Sequence, residues 1–334
     1  MAVSLHTHLL NLFIEKGGFF NKNLIIKKNV NKGFGVFAKN DIPPDTILID
    51  VPHNLLIPVN EIKDINQSRN SFQQVFFETV TSNNDYFNYH PLMSNDFELN
   101  IINNVLKKNV SLNKNFLIKH KIFSHLAEEK KRIELLSFTR AIFIKEHNKK
   151  FFMPIMDFVN YHYKGLRYSA GKNNNIYLKS IKHIKQNEEV LINYTQSTDA
   201  ISFFFEQGFI DNSFNSFKIK KNELKIKLKT ISKFNEKYFS KENDMYTFKE
   251  DILFDENTYS QSLLKFLEIF PIKDRQKMMV KILMMYKSSI STNSIDKNLE
   301  KDSEIIKKFF MSVELYTNII DNYLELVTKK NEKN

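Results

Sequence analysis

Three short segments, residues 32–38, 153–160 and 188–209, carry residue types that could together hold a charged ligand. The first contains two glycines, and glycine lets a backbone wrap closely around a ligand's charged end where a Cβ would obstruct it. The second contains an aspartate and an asparagine, and the third contains a strand-like run that ends in a tyrosine. Each also has a plainer interpretation: a tight turn, a chance spacing, and a tyrosine packed in the core with its hydroxyl satisfied.

Arg140 adds a specific cation to these segments, in a chain whose basic residues are nearly all lysines. A guanidinium group is a planar fork that can donate two parallel hydrogen bonds to a carboxylate. Arg140 is therefore a candidate ligand-binding residue. The alternative is a salt bridge on the surface of a helix.

The composition is that of a folded protein, with 334 residues of which 42% are hydrophobic and 13% aromatic. This length allows one large domain or two ordinary ones. The sequence has no apolar run long enough to cross a bilayer and no cleavable leader, so we expect a soluble, intracellular protein. The cytoplasm is the simplest location, and the nucleus or an organelle is the alternative. The chain contains no cysteine, which excludes a disulfide framework and every thiolate zinc cluster.

The net charge of +11 raises the question of a nucleic-acid partner. The lysines are scattered among asparagine, isoleucine and phenylalanine, without an arginine-rich tract or an aromatic–basic motif, so we expect none. His6 and His8 are close together, but no third ligand is suggested and we expect no metal. Signatures of a Ser/His/Asp triad, a P-loop and a Rossmann fold are all missing.

The elements that must position these residues change in type along the chain. A helix is predicted over 5–16, and short strands with turns follow it up to residue 52. The pattern is helical over about 61–136, and strand-like runs return at 151–153 and 189–194. Beyond about residue 215 we predict helices to the end, the clearest being an apolar stripe from Ile305 to Leu324.

In their order and spacing the three segments resemble the SET-domain methyltransferases. The nearer likeness is to the branch that modifies a Rubisco large-subunit lysine and, in relatives, an actin histidine. The resemblance implies an α+β fold, with a β-rich SET domain over 1–212 that contains a pseudoknot and a helical insert at about 61–136. An all-helical substrate-binding domain over 213–334 would follow, although there the likeness rests only on helical character and position. The lack of cysteine fits this branch, since many chromatin-type SET enzymes carry cysteine-rich zinc segments.

The resemblance also implies S-adenosylmethionine as the cofactor and assigns a role to individual residues. Tyr194 would be the catalytic tyrosine, Asp157 would face the substrate, and Gln207 would stand where a tyrosine often lines the lysine channel. The residues that would contact the cofactor are Lys32, Gly33, Phe34, Arg140, Asn160, Tyr161, Tyr194 and Phe209.

The sequence departs from the family pattern at several of these positions. Tyr161 follows Asn160 where the family has histidine, and a histidine comes one place later as His162, so a one-residue shift is an alternative. Thr195 and Asp199 replace the usual glycine and asparagine after the catalytic tyrosine. The predicted function is methyl transfer to a lysine ε-amine of a protein substrate. The alternatives are a protein-histidine methyltransferase and a catalytically weakened scaffold that uses the fold for binding.

Overall fold

A computed structural model describes residues 4–29, 33–62, 71–82, 89–106, 110–144, 148–171, 173–193, 199–219, 225–227, 239–242, 245–249, 252–255, 258–259, 267–268, 270–290 and 303–329. Its helices are α1 (Leu5–Glu15), α2 (Ser71–Thr81), α3 (Asp96–Leu106), α4 (Val110–Ser124), α5 (Glu128–Arg140), α6 (Ala200–Gln207), α7 (Ile272–Ser288) and α8 (Glu304–Lys329). No helix in the described ranges combines the length and the apolar composition needed to span a membrane.

The strands are short, as the frequent turns in the sequence predict. They are β1 (Phe19–Phe20), β2 (Leu24–Asn29), β3 (Gly33–Ala38), β4 (Ile47–Val51), β5 (Ile57–Pro58), β6 (Ala141–Ile144), β7 (Lys149–Phe152), β8 (Asn160–Leu166), β9 (Tyr168–Ala170), β10 (Ile176–Lys179), β11 (Leu191–Ile192), β12 (Phe217–Ile219), β13 (Lys225–Lys227), β14 (Phe239–Glu242), β15 (Met245–Phe248), β16 (Ile252–Asp255) and β17 (Thr258–Tyr259).

The chain packs as two units, which are described separately. The first comprises Met1–Asn88 and Phe123–Thr195, and the second comprises Tyr89–Ile122 and Gln196–Asn334. The predicted division into 1–212 and 213–334 follows the family resemblance rather than this packing, and it stays a prediction.

The first unit is built from four small groups of strands. One antiparallel sheet has the order β1-β4-β10-β9, and another has the order β5-β7-β6. β2 and β3 form an antiparallel pair in which Leu24 faces Ala38 and Asn29 faces Gly33. β8 and β11 run parallel, with a break in register between their two pairings. Strand β3 thus begins at Gly33 of the glycine segment, and strand β8 begins at Asn160. Both strands belong to the first unit.

Helix α1 confirms the predicted N-terminal helix. Its buried face carries Leu9 and Phe13, which are four positions apart and so lie on one side of a helix. The helix ends before Gly17, whose φ of +92° suits glycine. At Gly18 a Cβ would lie 2.4 Å from the ring of Phe13, so the chain can turn closely over that ring only without a side chain.

Helix α8 confirms the apolar stripe predicted for the end of the chain. Its buried residues recur every three or four positions, and Ile306, Phe309 and Tyr316 are among the least exposed side chains of the second unit. The stripe packs against α6 and α7. Burying a Leu- or Phe-sized side chain contributes about 1.5–3 kcal/mol, so this repeated contact is a main source of the unit's stability.

The prediction of helices throughout 213–334 is wrong in its first part. Strands β12 to β17 lie between residues 217 and 259, and they form two antiparallel sheets with the orders β12-β16-β17 and β13-β15-β14. The segment 217–219 alternates a buried apolar residue with a lysine, and 225–227 alternates lysine with isoleucine. Alternation with a period of two is the pattern of a strand with one buried face, and it outweighs a loose helical reading over so few residues.

Candidate active site

The glycine strand β3 meets the Asn160 segment at a contact that only glycine permits. A Cβ on Gly35 would lie 2.6 Å from Oε1 of Glu189 and 2.9 Å from Nδ2 of Asn160. Atoms at such distances cannot coexist without movement, so the missing side chain of Gly35 makes room for these two polar groups. Gly35, unlike the predicted cofactor contact Gly33, is thus needed for a close approach within the protein itself.

Asn160 links three segments of the first unit through its side-chain amide. Its Nδ2 donates a hydrogen bond to Oε1 of Glu189 at 2.6 Å and another to the carbonyl oxygen of Phe34 at 3.2 Å. These bonds fix the first residue of β8 against β3 and against the residue that precedes Val190 and β11. The three sequence segments that were singled out therefore converge at Asn160.

Glu189 is a residue of this site that sequence reasoning did not single out. A glutamate at the start of a strand carries no signal of its own, since Glu188 beside it is also acidic. Glu188 has a different role: its carboxylate accepts a hydrogen bond from the backbone of Lys185, and this bond holds its pKa below the ordinary value. Only the fold distinguishes the two neighbouring acids.

Arg140 and Asp157, which were predicted separately, lie together. Nη1 of Arg140, at the end of α5, is 3.9 Å from Oδ2 of Asp157. The Asp157 side chain is 9% exposed and that of Arg140 is 27% exposed. Asp157 lies in a single 3-10 turn, Met156–Phe158, which follows Ile155, a residue with a positive φ of +71°.

Asp157 holds its proton more tightly than an exposed aspartate does. Burial raises the pKa of Asp157 to about 6, and the nearby Arg140 opposes this rise only in part. Oδ2 of Asp157 has no hydrogen-bond partner among the described residues, which is consistent with a contact that is Coulombic rather than hydrogen-bonded. Arg140 thus takes part in a salt bridge with a residue outside α5, and its role toward a ligand stays a prediction.

The crossing of β8 and β11 leads the chain to the predicted catalytic tyrosine. A Cβ on Gly165 would lie 2.6 Å from the backbone carbon of Ile192, so the two backbones touch at this point. The next residue, Asn193, donates from its backbone to the carbonyl oxygen of Leu166 at 2.7 Å and from Nδ2 to that of Tyr163 at 2.6 Å. These contacts join β8 to the segment that runs from Leu191 to Asn193.

Several predicted site residues fall at the edge of what the structure describes. Lys32, Tyr194 and Thr195 lie outside the described residues. Tyr161 is described, and its side chain is 2% exposed. The side chain of Tyr161 is thus buried in the core. We therefore expect Tyr161 to contact a ligand through its backbone. Nδ1 of His162, the residue of the alternative alignment, accepts a hydrogen bond from the backbone of Lys164 at 3.0 Å.

An aromatic cluster on β3 was not foreseen. The ring of His6 from α1 lies 4.2 Å from that of Phe34 between centroids, and each ring is 6.4 Å from that of Phe158. Burial lowers the pKa of His6, so the ring favours the neutral form that packs well. His6 and His8 were considered as metal ligands, and the described residues contain no group of three or more histidines and acids that could hold a metal ion.

Gln207 and Phe209 belong to the second unit, at the end of α6. Gly208 between them has a φ of +73°, and a Cβ there would lie 2.6 Å from the ring of His90. Gln207 is buried, and the ring of Phe209 contacts that of Phe203 edge-on at 4.9 Å. The roles predicted for Gln207 and Phe209 stay predictions.

His90 and Asp199 hold this end of the second unit in place. Nε2 of His90 lies 3.3 Å from the carbonyl oxygen of Glu206, and Nδ1 accepts from the backbone of Leu92. Burial lowers the pKa of His90 to about 3, so the ring is neutral and Nε2 is the donor. Asp199 caps α6 by accepting from the backbone of Ser202 at 2.7 Å. This departure from the family pattern therefore has a structural role as a helix cap.

Comparison with known proteins places these contacts in a known fold. The sequence matches the family model of the SET domain over residues 33–195. No match was found among curated proteins. The chain is similar to the crystal structure of the SET domain of LSMT bound to lysine and AdoHcy, with 14% identity, a TM-score of 0.52, and coverage of 98% of this chain and 92% of that chain.

A second similar structure is that of Rubisco LSMT bound to sinefungin and monomethyllysine. Here the identity is 14%, the TM-score is 0.50, and the match covers 99% of this chain and 93% of that chain. At this level of identity the likeness establishes the fold alone. It confirms the predicted α+β class.

Proposed function

We propose, from the premise that residues 33–195 are a SET domain, that the chain is an S-adenosylmethionine-dependent protein methyltransferase. Its acceptor would be a lysine ε-amine. The observation that carries the proposal is that a single match to this domain encloses the glycine strand, Arg140, Asn160 and Tyr194. Within that match, Asn160 joins two of the segments to each other by direct hydrogen bonds.

The described residues fit the charged end of the cofactor. Gly33 has a φ of +77° and open space where a Cβ would stand, which suits a backbone that must approach a ligand closely. Arg140 is partly exposed, and its Nη1 lies 3.9 Å from Oδ2 of Asp157. The proposed contacts are the methionine part with Lys32, Gly33 and Phe34, the carboxylate with Arg140, and the adenosine part with Asn160, Tyr161 and Phe209.

The chemistry is a displacement in which a carbon–sulfur bond breaks and a carbon–nitrogen bond forms. When bound, the cofactor supplies the electrophilic methyl group. The protein has to align donor, methyl group and acceptor, and Tyr194, which follows Asn193 in the sequence, is the residue proposed to orient them. An unperturbed lysine has a pKa of about 10.4, so at neutral pH about one in a thousand is the free amine. An apolar channel and a nearby positive charge would both lower that value.

One feature supports lysine as the acceptor, and histidine stays the alternative. One of the similar structures holds lysine and another holds monomethyllysine. The helices of residues 213–334 are proposed to bind the protein substrate, with Gln207 lining the channel and Asp157 facing it. The finer assignments, including histidine as the acceptor or a scaffold without transfer, are decided by the experiments that follow.

The first experiment is a calorimetric titration of the purified chain with S-adenosylhomocysteine. We expect micromolar binding for the wild type and at least about tenfold weaker binding for Arg140→Ala, a loss of about 1.4 kcal/mol or more. Arg132→Ala is the matched control, because Arg132 is an exposed arginine on the same helix. A folded wild type that does not bind would reject the cofactor and leave the scaffold as the better explanation.

The second experiment follows transfer of a labelled methyl group to proteins of a cell lysate. Tyr194→Phe should slow transfer sharply while the affinity for S-adenosylhomocysteine stays nearly the same. Amino-acid analysis of the labelled product distinguishes methyllysine from methylhistidine. Transfer by Tyr194→Phe at the wild-type rate would remove Tyr194 from the catalytic role.

A further inference from the structure

A groove of about 690 Å³ opens within the first unit. It lies between α5, the short turn Val59–Glu61 and the strands β6 and β7. None of the residues to which a role was assigned above lines it. Its volume falls within the roughly 300–1,000 Å³ of ordinary ligand sites, so it can take one or two side chains of a partner.

The groove has an apolar interior. Ile133 of α5 is 7% exposed, and Val59, Ile62 and Leu126 are partly buried beside it. Phe143 stands at the edge with 57% of its surface exposed. Exposed aromatic surface next to a concave apolar surface is typical of interaction sites, since a partner's apolar side chain would remove both from water.

The rim of the groove is basic. Lys130, Lys149 and Lys150 line it, against one acidic residue, Glu134. All four side chains are exposed, and none of them forms an ion pair with another described residue. Lys131, the neighbour of Lys130, does form one, with Glu128 at 2.8 Å. The rim thus has three cations whose charge the described part of the protein does not neutralise.

We propose that this groove binds a short acidic peptide segment of a protein partner, with an aliphatic or aromatic side chain as its anchor. The anchor enters the apolar interior, and its flanking acids face the three lysines. Exposed lysines act mainly by steering an acidic partner and fixing its register, so binding depends on ionic strength. The inference does not depend on methyl transfer, because no cofactor residue takes part.

A peptide fits this lining better than a nucleic acid does. Single-stranded nucleic acid is held by aromatic side chains on which successive bases stack. Phe143 is the only aromatic side chain among the residues that the structure places around the groove. The lining also has no arginine, the residue suited to bidentate recognition of phosphate.

The test measures fluorescence anisotropy of labelled hexapeptides with the full chain at low salt. The probes have two acids on each side of an apolar pair, namely Leu-Phe, Phe-Leu or Ile-Val. We expect the tightest of them to bind with a Kd of about 10–100 µM, and the same peptide with Ser-Ser at the centre to bind at least about tenfold more weakly. Raising the salt from about 20 to 300 mM should weaken binding several-fold.

Charge reversals locate the site. Lys149→Glu with Lys150→Glu should weaken the tightest peptide at least about tenfold, whereas Glu134→Gln should tighten it about twofold. The matched control is Lys16→Glu with Lys22→Glu, two exposed lysines of the same unit whose reversal changes the net charge equally. A melting temperature for each variant confirms folding.

Several outcomes would overturn the inference. An equal loss in the control variant would mean that the overall charge, not the groove, attracts the peptide. Equal binding of the Ser-Ser peptide would remove the apolar anchor. A dT12 oligonucleotide that bound more tightly than every peptide, and lost affinity only in the groove variant, would identify nucleic acid as the ligand. No binding by any probe below about 1 mM would reject the site.

Discussion

Helix α8 and the pair of strands β8 and β11 are stabilised by different kinds of contact. α8 buries an apolar side chain every three or four residues, so its packing is stabilised by many similar contacts. The crossing depends on contacts made once, such as Gly165 against the backbone of Ile192 and Asn193 bonded to Tyr163. The difference shows that the proposed active site rests on the kind of contact that does not repeat along a sequence.

The largest effect is expected where α8 is densest. Phe309→Ala removes a fully buried ring that contacts Phe205 and Phe204, and such truncations cost about 3–5 kcal/mol. Thermal unfolding should show a clearly lower melting temperature for this variant. Met311→Ala on the same helix is the control, because Met311 is 46% exposed and its truncation should change stability by less than about 0.5 kcal/mol. Similar losses at both positions would mean that the stripe is not the side of α8 that stabilises it.

The second effect concerns the buried acid of the site. Burial raises the pKa of Asp157 from 3.8 to about 6 although Arg140 opposes the rise. Because the folded chain holds this proton more tightly than the unfolded chain does, the contribution of Asp157 is fully present below about pH 4 and is lost as the pH rises through 6. Relative to Asp157→Asn, the free energy of unfolding of the wild type should fall by up to about 3 kcal/mol between pH 4 and 7.

The control for this pH dependence lies on α8. Asp321 pairs with Lys287 at 2.6 Å, but both side chains are more than 40% exposed. Asp321→Asn should therefore change stability by less than about 1 kcal/mol. Denaturant unfolding at several pH values would measure both variants. If the free energy of unfolding changed with pH equally in the wild type and in Asp157→Asn, the pKa of the Asp157 carboxyl group would be the same in the folded and unfolded chain.

Repeating patterns explain what could be predicted from the sequence. Helix α1 and the stripe of α8 follow from apolar residues at helical spacing, and the α+β class follows from the three segments and their resemblance. The strands between 217 and 259 were missed because each is only two to four residues long, which is too short for a period to stand out.

Contacts between distant residues explain what could not be predicted. The sequence singled out Arg140 and Asp157 one at a time, each by its chemistry, but their ion pair depends on how α5 ends and how the turn at Ile155 bends. Glu189 was missed altogether, because only the approach of β3 to β8 gives it a partner in Asn160. The groove on α5 was missed for the same reason, since its lining comes from three separate stretches of the chain.

Substitution of Gly165 and of Gly33 by alanine should destabilise the protein for two different reasons, a steric clash and a strained backbone conformation. Gly165→Ala places a Cβ 2.6 Å from the backbone of Ile192, which cannot move aside as a side chain would, so we expect a loss of about 1–3 kcal/mol. Gly33→Ala meets no atom within 4 Å, and its cost of about 1 kcal/mol comes from the positive φ alone. Both variants are measured by chemical denaturation. A larger loss at Gly33 would mean that the crossing adapts to the extra methyl group.

The smallest expected change distinguishes two neighbouring glutamates. Glu189→Ala removes the carboxylate that accepts from Asn160 at 2.6 Å, and a lost hydrogen bond to a charged group costs about 1.5–3 kcal/mol when its partner stays buried, less when water replaces it. Asn160 is half-buried, so we expect about 1 kcal/mol of stability to be lost and S-adenosylhomocysteine to bind about fivefold more weakly. Glu188→Ala should leave that affinity unchanged, because the Glu188 carboxylate accepts hydrogen bonds from Lys182 and from the backbone of Lys185 rather than from Asn160. Since the two acids are adjacent in sequence and identical in chemistry, a difference between them would come from their different surroundings, which for Glu189 include the hydrogen bond from Asn160. Equal affinities in both variants would show that the link between β3 and β8 holds the fold without shaping the cofactor site.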